Sequence, residues 1–241
     1  MPERGEILKT IEAAFAHEPR LDVQRYPVHM ALAGGVLTLE GEVEHIAAKK
    51  LCLELAAAVP GVDGIVDRLR VAPAVPMSDE SIRDHVRDAL YQEPAFATFA
   101  LKLGEQQGLE PVRASTREPF GVIAVVVDDG VVTLDGQVPS LSHKRLAGVL
   151  AWWVPGSREV VNGLAVEPSQ KDNDEEITDA VRLVLEKDPF VKADHMRVHT
   201  KGRVVTLEGV VANDSIREMA EFDAWYVFGV DRVINRLAVQ S

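Results

Sequence analysis

Residues 131–138 read VVTLDGQV, directly after Asp129 and Gly130. Nearly the same line stands at 36–43 as VLTLEGEV behind Gly34 and Gly35. It stands again at 204–211 as VVTLEGVV, behind Lys201 and Gly202 with Arg203 between. A turn glycine, an alternating run rich in β-branched residues and a closing glycine together signal one arm of a β-hairpin. A chain that writes one hairpin arm three times is built from repeats, and self-similarity of this kind outranks other fold signals.

Working outward, the closing glycines Gly41, Gly136 and Gly209 bring Gly61, Gly156 and Gly229 into register, each 20 positions further on. Leu69, Leu164 and Leu237 then coincide, as do Val71, Val166 and Val239, with Asp67, Asn162 and Asn235 just before them. Upstream, Pro19, Pro94 and Pro189 each follow an acidic residue and close an amphipathic segment. That segment has helical spacing: Ile7, Ile11 and Phe15; Ile82, Val86 and Leu90; Ile177, Val181 and Leu185. SDESI from Ser78 and DNDEEI from Asp172 supply capping side chains and acidic first turns.

Each unit then runs through an alternating stretch, a turn at Gly34-Gly35, Asp129-Gly130 or Lys201-Gly202, the quoted arm, a second helix ending at glycine and a last strand. In the third copy Arg203 reads as an extra residue between turn and strand, which predicts an altered turn or a bulge. The order helix, strand, strand, helix, strand gives an α+β fold: three tandem αββαβ units, each a small sheet under two helices, whose last strand returns parallel to an earlier one. The expected units are 1–74, 77–168 with an insertion at about 97–120, and 172–241, and cores this small are expected to pack on one another. The insertion shows as 42 positions from Pro94 to Gly136, against 22 and 20 in the other copies. Phe96, Phe99, Leu101 and Leu103 suit docking against a neighbouring unit, and the polar stretch 106–118 reads as mobile and open to protease at Arg113 or Arg117.

The pattern resembles the BON domain, named for bacterial osmotic-stress and nodulation proteins. Its signature, G-x-V-x-L-x-G-x-V followed by V-x-G-V-x-x-V-x-N-x-L, is met at 36–43 with 59–69, at 131–138 with 154–164, and at 204–210 with 227–237. Asp67 makes the first copy the least typical. The resemblance implies a binding module without catalysis, associated with phospholipid surfaces in envelope and osmotic-stress proteins. It implies as alternatives a cytosolic potassium-sensing protein, as in one relative that carries a LysM domain, or a protein-interaction scaffold.

Composition narrows the classes. The chain has 241 residues, 46% of them apolar, with 38 acidic against 26 basic residues and a net charge of −12. That sign disfavours nucleic acid, whereas excess acid suits a monovalent cation. The N-terminus shows no secretory pattern, so the expected compartment is the cytoplasm, or the periplasm if a leader was removed. Cys52, flanked by Leu51 and Leu53, reads as a small core residue.

No catalytic set, cofactor site or metal site emerges. His195 and His199 fall on a strand-like segment, and the acids Asp172, Asp174, Glu175 and Glu176 read as a solvated helix start. Trp152-Trp153 and Trp225-Tyr226, aligned on Ala57-Ala58, end the second helices. Neighbours on a helix point about 100° apart, so one ring of each pair is left for another unit or for a lipid headgroup layer. Trp152, Trp153, Trp225 and Tyr226, with Phe96 and Phe99, are therefore the candidate lipid or partner contacts. The six aligned glycines are given structural roles, with Gly41, Gly136 and Gly209 expected where strand and helix approach closely.

Overall fold

The computed structural model describes residues 4–105, 108–114 and 121–240. The chain divides into two compact units, 1–72 and 73–241.

The first unit holds α1 (Arg4–His17), β1 (His29–Ala33), β2 (Val36–Val43), α2 (Ile46–Ala57) and β3 (Gly64–Val71). The sheet order is β1-β2-β3, with β1 antiparallel and β3 parallel to β2. Alternation sends Leu37 and Leu39 of β2 inward, where Ile7, Ile11 and Phe15 of α1 and Cys52 and Ala56 of α2 close the core. Burial pushes the Cys52 thiol up to about 12, which leaves no thiolate for chemistry.

Copies two and three share the second unit. Copy two comprises α3 (Asp79–Gln92), β4 (Ala100–Glu105), β5 (Gly108–Arg113), β6 (Val122–Asp128), β7 (Val131–Val138), α4 (Leu141–Trp152), β8 (Glu159–Asn162) and β9 (Ala165–Val166). Copy three comprises α5 (Asp174–Lys187), β10 (Met196–Lys201), β11 (Val204–Val211), α6 (Asp214–Tyr226) and β12 (Arg232–Val239). The three-stranded sheet β10-β11-β12 repeats the topology of the first unit, whereas copy two runs β5-β4-β6-β7-β8, with β9 also on β7. The αββαβ order holds in copies one and three, and in copy two it is kept around the inserted pair β4-β5, with the last strand split into β8 and β9.

The insertion is the cause of that difference. Much of it forms the hairpin β4-β5, whose first strand lies parallel to β6. Phe96 and Phe99 are 0% and 1% exposed and, with Leu101 and Leu103, sit in copy two's own core rather than against a neighbouring unit. Their rings meet edge to face at 5.4 Å, and Phe99 stacks on His143 at 5.2 Å. Arg113 is tied down: its guanidinium donates to the carbonyls of Tyr91, Phe96 and Phe99 and lies over the Tyr91 ring. Part of the expected mobile stretch, with Arg117, lies outside the described residues.

Two local expectations are corrected. The third turn is Gly202-Arg203, not Lys201-Gly202: Lys201 pairs with Val204, and φ is +56° and +64° at the two turn residues. All three hairpins therefore have two-residue turns with positive φ at both positions, the twist-matched form, and no residue is extra. Gly209 (φ +138°) is required by the backbone entering the neighbouring strand β10 rather than by an α-helix, because a Cβ there would lie 2.1 Å from the carbonyl oxygen of His195, the residue just before that strand. Gly41 and Gly136 meet the Pro27 and Val122 carbonyls in the same way.

The acidic helix starts also do more than face solvent. Asp79 of α3 accepts the backbone N–H groups of Asp129 and Gly130, at 2.9 and 2.8 Å. Asp174 of α5 accepts those of Gly202 and Arg203, at 2.7 and 2.9 Å. One carboxylate thus binds a hairpin turn to the start of the first helix in copies two and three, and the aligned position in copy one is Arg4. The turn N–H groups hold the Asp174 carboxyl below its ordinary value. Asp174→Ala is expected to lower the melting temperature, with the loss vanishing as pH falls through the folded value. A difference that persists unchanged in acid would count against the staple.

Copy one substitutes a different bond at its last strand. The Asn162 and Asn235 amides donate to the carbonyls of Lys144 and Arg217, at 2.7 and 2.9 Å, and so tie the last strand to the second helix. Asp67 cannot donate. Instead Lys49, buried on α2, reaches Asp67 Oδ2 and the Leu69 carbonyl, both at 2.9 Å.

Candidate functional site: the contact between copies two and three

α4 packs on α5 and α6, and the chemistry-bearing side chains of the second unit gather along that seam. Trp152 stacks on Tyr226 with centroids 5.4 Å apart and planes 15° apart. Trp153 Nε1 donates to Asp223 Oδ1 at 2.8 Å. Trp225, the aligned partner of Trp152, is 1% exposed. The candidate rings of the second helices therefore meet across the seam or lie in the core, and the structure brings Phe96 and Phe99 into a separate cluster with His143.

Sequence reasoning missed the polar half of the seam. Arg145 of α4 is 1% exposed, donates from Nε to the Phe228 carbonyl at 2.9 Å and pairs through Nη2 with Asp172, while its Nη1 finds no acceptor. Asp172 also meets Arg203 at 3.5 Å. Lys187 crosses to both carboxylate oxygens of Glu93 at 2.9 Å. The aligned positions of Arg145 are Lys50 and Glu218, so nothing in the repeat pattern marked it.

Asp223 is 3% exposed, its Oδ2 has no N–H or O–H donor, and its carboxyl lies within hydrogen-bonding reach of that of Asp188. Asp188 is itself buried and accepts the Phe190 N–H at 2.8 Å. Burial, against the Trp153 hydrogen bond and reinforced by Asp188, pushes the Asp223 carboxyl up to about 8. Raised this far, the Asp223 carboxyl keeps its proton at neutral pH. Tyr226 alongside is raised to about 12 by burial.

Beyond the seam, Phe190 at the end of α5 is 70% exposed and Phe228 carries Lys144 over its ring at 4.9 Å. Among the described residues, no group of three His, Cys, Asp or Glu residues is placed to hold a metal ion. Among the same residues, no helix is long and apolar enough to cross a membrane.

Comparison with known proteins agrees with the repeat. The chain is 32% identical over 121 residues to the osmotically-inducible protein Y of Escherichia coli, covering 48% of this chain and 60% of that protein. It is 34% identical over 119 residues to the outer membrane lipoprotein DolP of Haemophilus influenzae, covering 48% and 61%. The chain thus spans less than two thirds of the length of these relatives. A solved C-terminal domain of CdsD, a structural protein of the type III secretion system of Chlamydia trachomatis, aligns at 15% identity over both whole chains with a TM-score of 0.25, too low to carry an argument. The BON domain profile matches residues 5–73, 115–168 and 173–241, one segment around each hairpin arm, and in copy two it begins after the first helix and the β4-β5 hairpin. The chain belongs to the BON domain family.

Proposed function

We propose that this is a non-enzymatic BON-type binding protein of the bacterial envelope stress response, and that the second unit touches a phospholipid surface through Phe190. One relative is osmotically inducible and another is an outer membrane lipoprotein, which supports an envelope role and the periplasm as its compartment. The observation that carries the lipid reading is the Phe190 ring, which is 70% exposed in the turn after α5, two residues before Lys192. An aromatic ring held out beside a cation suits the headgroup layer. The Trp152–Tyr226 stack and the Trp153–Asp223 hydrogen bond contribute by holding copies two and three together.

Vesicle flotation tests this reading. Wild type is expected to float with phosphatidylglycerol-containing vesicles. Phe190→Asp is expected to reduce binding at least about tenfold, the loss that follows from exposing one phenyl group. No flotation of wild type on any vesicle overturns the proposal.

A further inference from the structure

Copy two shows what the outer edge of this sheet can accept. Its first strand, β6, carries β4 in parallel, with Leu101, Lys102 and Leu103 set against Ile123, Ala124 and Val125. The Gly121 carbonyl accepts the Ala100 N–H at 2.8 Å, so the carbonyls of that parity, Val125 included, face the added strand. Arg87 of α3, above this edge, is drawn to Asp84 and Asp88 at 2.9 and 2.8 Å.

In copy three the aligned strand β10 pairs with β11 alone among the described strands. The residue aligned with Val125 is Val198, and the one aligned with Arg87 is Arg182. Arg182 divides its guanidinium between Asp179 at 3.4 Å and the Val198 carbonyl at 3.2 Å, the group that an added strand would need. Arg182 therefore stands over the edge as a latch, and Asp179 is already in place to receive it, as Asp84 receives Arg87. In copy one the latch position is Glu12.

We propose that the free edge of β10 binds an extended segment of a partner protein as an additional parallel strand, with Arg182 released to Asp179 when it docks. In copy two the apolar residues of the added strand, Leu101 and Leu103, are buried and Lys102 between them is exposed. On copy three the middle residue would stand beside exposed Arg197, which is aligned with Ala124, with His199 next on that face. The segment that fits carries Leu-acidic-Leu. Main-chain bonds supply affinity and the alternating side chains supply specificity.

The test uses the full chain and two fluorescent peptides, TFALKLG (residues 98–104) and the same peptide with glutamate in place of its lysine. Polarisation should show saturable binding, a few-fold tighter for the glutamate peptide. Hydrogen exchange should show new protection at 196–201. N-methylation of the peptide at the positions matching Lys102 and Gly104, whose N–H groups face the edge, should weaken binding at least about tenfold, and N-methylation at the leucines should weaken it less. Arg182→Ala should bind more tightly, because its carbonyl is already free. No saturable binding, protection confined to 29–33, or indifference to the N-methyl groups overturns the proposal. Concentration-dependent dimerisation that protects β10 without peptide assigns the edge to a second copy instead and also overturns it.

Discussion

Asp223→Asn is expected to stabilise the second unit in neutral and alkaline solution and to flatten its dependence on pH. In the folded protein the Asp223 carboxyl keeps its proton up to about 8, whereas in the unfolded chain it releases it near the ordinary value of about 4. Between those limits the folded state binds more protons, so wild-type stability falls as pH rises. The contribution is complete below the unfolded value and lost by the folded one. An asparagine can accept from Trp153 through Oδ1 and donate to Asp188 through Nδ2 without needing a proton. The gain above pH 8 should be on the order of a few kcal/mol and should vanish near pH 4. Urea denaturation followed by tryptophan fluorescence from pH 4 to 9 measures it. An unaltered pH slope in the variant would show that Asp223 does not hold its proton in the folded state.

Asp67→Ala should be the more damaging change. Lys49 is 4% exposed and pairs with Asp67, whose side chain keeps 31% of its surface in water, so removing Asp67 should cost less than the loss of a fully buried partner, on the order of 1 to 3 kcal/mol. Burial already lowers the Lys49 pKa, opposed by Asp67, and without Asp67 it should fall further. The unfolded state then binds the extra proton, so the deficit should shrink as pH rises toward the ordinary lysine value. Asp67→Asn should cost less, because its amide can donate to the Lys49 carbonyl as Asn162 and Asn235 do to theirs. Pairing it with Lys49→Met should recover most of the loss, since no ammonium is then left without a carboxylate. Hydrogen exchange of the β2 and β3 amides reports the first unit separately from the second. Equal losses for Ala and Asn, independent of pH, would mean that the ion pair is not what holds β3 to α2.

The arms VLTLEGEV, VVTLDGQV and VVTLEGVV carried the architecture because hairpin and helix signals are local. Alternation, a two-residue turn and 3.6-residue spacing act within a few residues of the chain. The same locality explains the misreadings. Arg203 looked like an insertion because a positive φ at a non-glycine residue is uncommon, and its N–H bond to Asp174 comes from a helix 29 positions earlier. Phe96, Phe99, Leu101 and Leu103 read as a docking surface because β4, besides its hairpin with β5, lies on β6, a pairing that no local pattern carries.

By itself, then, the sequence determined the three copies, their underlying αββαβ order and the core faces, all consequences of short-range periodicity. Only the tertiary structure decided which aromatic rings remain outside, that Asp223 is buried beside Asp188, that Arg145 is buried at the seam, and that among the described strands one sheet edge is filled while its counterpart is not. Each of these depends on groups far apart in the chain meeting where water is excluded, and there the energy of a charge or an unpaired carbonyl is set by its neighbours in space.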